Sequence, residues 1–73
     1  MNVEPHFDLP PLLLRIPDAA RLLGVGRSLT YQLIAEGELE VVRVGSVMRV
    51  PVAAVEDFVE RQRTLTQTVR VDR

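Results

Sequence analysis

Apolar positions recur at helical spacing in three stretches of the chain and alternate in a fourth. From Pro17 to Leu23, residues Ala19, Ala20, Leu22 and Leu23 supply the buried side of a short helix. Proline suits its opening turn, Asp18 suits the positive end of its dipole, and Gly24 ends it. Val25 and Gly26 lead into a second helix from Arg27 to Glu36. At about 100° per residue, Leu29, Thr30, Leu33 and Ile34 fall on one arc, while Arg27, Ser28, Tyr31, Gln32 and Ala35 fall on the other. Gly37 stands where a left-handed C-cap is expected. Two helices of about two turns each, joined by a short turn with glycine, fit a helix-turn-helix; a generic helical hairpin fits as well.

From Val41 to Val50 the pattern changes to alternation, VVRVGSVMRV, which predicts a β-hairpin. A two-residue Gly45-Ser46 loop would set Val42 opposite Arg49 and mix charge into the apolar face, whereas a three-residue loop of Gly45, Ser46 and Val47 pairs Val44 with Met48, Arg43 with Arg49 and Val42 with Val50, and separates the faces. It sets two guanidinium groups side by side, an arrangement that costs energy unless an anion answers it. A phosphate would serve, and so would Glu38 or Glu40 from the preceding loop. Pro51 closes the strand, and Val52 to Arg63 again has helical spacing, with Val55, Phe58 and Val59 inward and Glu56, Asp57, Glu60 and Arg61 outward. The organisation expected is an extended arm over residues 1–12, a folded domain over 13–63, and a tail or lone strand over 64–73. Leu13, Leu14 and Ile16 pin the arm to the core, and the alternating tail is open to strand addition with a neighbouring copy.

With 73 residues and 47% apolar content, the chain supports one domain with a small core. It has no cysteine and one histidine, His6, so disulfides and zinc chemistry are not expected. No cofactor or small-molecule ligand is expected either. No run reaches the roughly 18 apolar residues of a membrane span, and Leu9 to Leu14 is too short and proline-rich for a leader, so the expected location is cytoplasmic. An enzyme is disfavoured, because a hydroxyl nucleophile needs a nearby base and the carboxylates lie in segments read as exposed.

The net charge of −1 argues against a polyanionic partner. All the basic residues are arginine, however, and arginine offers a planar fork to phosphates and guanine edges. Arg27 and Ser28 open the second helix beside free backbone N–H groups, Tyr31 can reach a phosphate, and Gln32 can pair with adenine. Each has a bland alternative: Arg27 can pair with Asp18 or Glu36, and Tyr31 can cover the core.

The elements DAARLLGV, GRSLTYQLI, EGEL, VRVG, RVP and AAVEDFV, in this order across residues 13–59, resemble the excisionase family of small proteins related in fold to MerR-type regulators. The resemblance implies a mainly α fold with a small β-hairpin: a winged helix-turn-helix of two short helices, a two-stranded wing and a packing helix. It implies recombination directionality factors that bind and bend attachment-site DNA and assist an integrase in excision. By position, Arg27, Ser28, Tyr31 and Gln32 would face the major groove of double-stranded DNA, and Arg43, Ser46 and Arg49 would lie on the wing at the adjacent minor groove. Self-association on tandem sites through the arm or tail is expected. The chain departs from the family pattern at Gly26, at Glu40 and at an uncharged wing tip of Ser46, Val47 and Met48. A small transcriptional regulator of the same fold, or a protein-interaction module without DNA binding, are the alternatives.

Overall fold

The structure, a computed structural model, describes residues 11–68 of the chain. In chain order it contains β1 (Leu13–Leu14), α1 (Ile16–Leu23), α2 (Arg27–Ala35), β2 (Val42–Val44), β3 (Val47–Pro51) and α3 (Val52–Thr68). The three strands form one antiparallel sheet in the order β1-β3-β2. This is a mainly helical protein with a small sheet, the architecture of a winged helix-turn-helix. The arm expected over residues 1–12 lies outside the described residues except for Pro11 and Leu12.

The core is built from small pieces of every layer. Leu14, Ala19, Leu39, Val50, Ala54 and Val55 are buried together, with Ile16, Leu23, Leu33, Ile34, Val41, Val52 and Phe58 packed against them. Leu14 and Ile16 do anchor the start of the domain, Leu14 through a strand that the pattern did not show and Ile16 from the first turn of α1, while Leu13 stays exposed. Leu14 pairs with Val50 and Leu13 with Pro51, and the Val52 N–H donates to Leu12 O at 2.9 Å. Two residues are too few to display alternation, so β1 is visible only through its partner.

Not every apolar residue expected inward is there. Leu22, Leu29 and Val59 are exposed on their helices. Each sits at the edge of its helix's apolar arc, and the single small core covers only the centre of that arc. Thr30, by contrast, is fully buried at the centre of α2, where its hydroxyl donates to Gly26 O at 2.9 Å.

The hairpin takes a different register from the one expected. Val42 pairs with Arg49, Arg43 with Met48 and Val44 with Val47, leaving a two-residue Gly45-Ser46 loop. Gly45 has φ +64° while Ser46 does not enter positive φ, the pattern of a type II′ turn with glycine first. Cross-strand partners share a face, so Arg43 lies on the side of Met48, Val50 and Leu14, and Arg49 on the side of Val42, Val44 and Val47. The two guanidinium groups are therefore on opposite faces of the wing and do not form the expected pair. Separation of faces failed as a guide because only the base of the hairpin, at Val50 and Leu14, is covered. Nearer the tip both faces are open, and the turn chemistry decides.

The helix α3 runs to Thr68 instead of ending at Arg63, so residues 64–68 continue a helix where a tail or lone strand was expected. The threonines of TLTQT have weak strand preference, and a helix already nucleated over three turns extends at little cost. The rest of the expected strand, residues 69–73, lies outside the described residues.

Candidate nucleic-acid interface

Two chain reversals define the pose of α2. The helix α1 ends with Gly24 at φ +75°, its N–H donating to Arg21 O and the Val25 N–H to Ala20 O. At the far end of α2, Gly37 at φ +78° gives its N–H to Ile34 O at 3.0 Å, and Glu38 gives its N–H to Leu33 O at 2.8 Å. Both are Schellman closures, in which a left-handed residue turns the last carbonyls of a helix back onto the chain. The second closure aims Leu39 straight into the core, where it is 1% exposed.

At its N-terminus α2 begins after Gly26, which is extended and has no side chain to cap the helix. The first-turn N–H groups are thus left for an outside acceptor, at the end where the helix dipole favours an anion. Arg27 and Ser28 lie there, both exposed, with Tyr31 and Gln32 exposed on the following turn. The structure brings these four residues onto one open face.

The competing partners are occupied elsewhere. Asp18 receives Arg21 at 3.2 Å, and Glu36 receives the Gln32 amide at 3.1 Å. Arg27 has no ion pair or side-chain hydrogen bond among the described residues. Tyr31 is 51% exposed, so it is not a cover on the core. The Gln32–Glu36 contact joins two exposed groups within one helix turn and is worth a few tenths of a kcal/mol, about what one new hydrogen bond recovers.

The wing residues are arranged separately from this face. Arg43 and Ser46 are exposed; Arg49 is half-buried and donates to Met48 O at 3.0 Å. Around the tip the exposed side chains are Val44, Val47 and Met48, so the charge lies back from the tip on both sides.

One contributor escaped the sequence pattern. Arg61, which helical spacing sends outward, is exposed yet engaged: its Nη2 donates to Glu38 O at 2.6 Å, and its guanidinium carbon stands 5.8 Å from the centre of the Phe58 ring. The contact joins positions 23 residues apart, and no periodicity signals a bond from a surface arginine to a main-chain carbonyl.

The helix-turn-helix domain family matches residues 13–63, which takes in everything from β1 to the middle of α3. A protein of Saccharopolyspora erythraea named probable excisionase is 46% identical over 50 residues, covering 68% of this chain and 51% of the relative. An excisionase of Streptomyces ambofaciens is 40% identical over 52 residues, covering 71% of this chain and 84% of the relative. A Mycobacterium tuberculosis protein whose name proposes DNA binding is 42% identical over 48 residues, covering 66% of this chain and 62% of the relative. The matched stretch spans about half the length of the first of these relatives and most of the second. With two Schellman-closed helices, an open second helix and a hairpin in the matched region, the chain belongs to the helix-turn-helix domain family and, within it, groups with the excisionases.

Proposed function

We propose that this chain is a sequence-specific DNA-binding protein of the excisionase kind, which binds and bends attachment-site DNA and assists an integrase in excision. The observation that carries the reading is the state of Arg27: a guanidinium at the uncapped start of α2, with Asp18 engaged by Arg21 and Glu36 engaged by Gln32 at the other end of the helix. In a helix-turn-helix the N-terminal residues of the second helix approach the base edges. Arg27 then reads a guanine edge or clamps the entry phosphate, Ser28 and Tyr31 hold phosphate oxygens, and Gln32 exchanges Glu36 for an adenine. Arg43 and Arg49, on opposite faces of the wing, reach backbone phosphates on its two sides, with Ser46 at the tip. Tandem copies on adjacent sites raise the affinity of a module that alone contacts few phosphates.

An excision reaction with the partner integrase, run with and without this protein, tests the role: the account expects excision to depend on it. Transcription control from the same helix is the second reading, and the Mycobacterium tuberculosis relative, whose name proposes DNA binding, is compatible with either role. A mobility-shift titration separates both from an adaptor that binds only protein, since the adaptor shifts no duplex at any salt concentration.

A further inference from the structure

Most side-chain bonds of the helices stay local: Arg21, Gln32 and Arg63 each pair within one turn of their own helix. Arg61 instead ties α3 to the segment that ends α2. Its acceptor, Glu38 O, belongs to the residue whose N–H already closes on Leu33 O, and the next residue, Leu39, is sealed in the core. Its guanidinium also lies near the ring of Phe58, which itself packs against the core. A continuous path of contacts therefore runs from the core-packed part of α3, through Arg61, to the C-terminal end of α2.

We propose that Arg61 is a positioning residue for DNA recognition: through Glu38 O it fixes the angle at which α2 presents Arg27, Tyr31 and Gln32, without touching the duplex. This rests on the DNA-binding reading above. The lever is simple. A helix of nine residues is about 13 Å long, so a pivot of about 5° at its C-terminal end moves Arg27 by about 1 Å. Bidentate base contacts are lost over such a distance, whereas contacts to phosphates, which depend mainly on charge, are not. Lysine is a poor substitute here, because the guanidinium lies over the Phe58 ring while one of its nitrogens donates to the carbonyl, and an ammonium offers a single compact charge for both contacts.

The test uses the full chain with Arg61→Lys and Arg61→Gln. Binding is measured by fluorescence anisotropy on a duplex selected by the wild type from a random pool and on a scrambled duplex, over a series of salt concentrations. Circular dichroism fixes a temperature at which each variant is fully folded. The expected result is a roughly tenfold loss on the selected duplex for both variants, with a loss of about twofold or less on the scrambled one. For Arg61→Lys the slope of log K against log salt stays at the wild-type value, and the amide signals of Glu38 and Leu39 shift in its ¹H–¹⁵N spectrum. Wild-type affinity in both folded variants would overturn the proposal and leave Arg61 a purely stabilising role. Wild-type affinity in Arg61→Lys, with a slope reduced by about one in Arg61→Gln, would overturn it in favour of a direct phosphate contact. Should the wild type itself fail to prefer any duplex, the DNA-binding reading falls, and that failure is visible before either variant is examined.

Discussion

Leu39 is the residue on which the pose of α2 most depends for stability. It is almost wholly buried, follows directly on the Schellman closure, and links the end of the helix to the core. Leu39→Ala should cost about 2–5 kcal/mol, read as a lower urea midpoint with an unchanged slope. Helical spacing does not mark it, since Leu39 stands as a lone large apolar residue between Glu38 and Glu40 just past Gly37. The open face is a different matter. Arg27, Ser28, Tyr31 and Gln32 were legible as one side of a helix because 3.6-residue spacing alone separates them from Leu33 and Ile34. What spacing could not supply was the choice among partners for Arg27, which depends on where Arg21 and Gln32 spend their donors.

At the scale of elements, the two glycine-marked helix ends were the most readable features and the hairpin the least. Gly24 and Gly37 mark their closures because a left-handed residue is needed there and glycine adopts that geometry without strain. Gly37→Ala has open space for a methyl group and a backbone at φ +78° that disfavours it, so the cost is conformational. It should destabilise the fold by about 1–2 kcal/mol in chemical denaturation, with Gly26→Ala at its negative φ losing the cap preference alone, about 1 kcal/mol or less. The wing register departs from the face-separated one because separation of faces decides only where a face is buried, and most of the hairpin is open. Gly45 as first residue of a two-residue turn carried the stronger information. The length of α3 was misjudged because residue preference near a helix end is a weak guide beside continuation of a helix already formed.

For the molecule as a whole, one small core holds the three helices and the sheet of the described residues in place, and the surface carries the functional content. The net charge of −1 offers no general attraction to DNA, so binding must draw on local arginines. With Arg27, Arg43 and Arg49 as the arginines at the duplex, log K for one copy should fall with log salt at a slope of about −3. The absence of a shift at every salt concentration would instead fit a protein adaptor. The central claim, that the exposed side of α2 meets the duplex, is tested most directly by titrating the ¹⁵N-labelled chain with a duplex selected from a random pool. The account predicts that the largest amide shifts fall on Arg27, Ser28, Tyr31 and Gln32, with smaller ones at Arg43, Ser46 and Arg49. Shifts confined to α3 or to the β1 side of the sheet, with α2 unmoved at saturation, would contradict it.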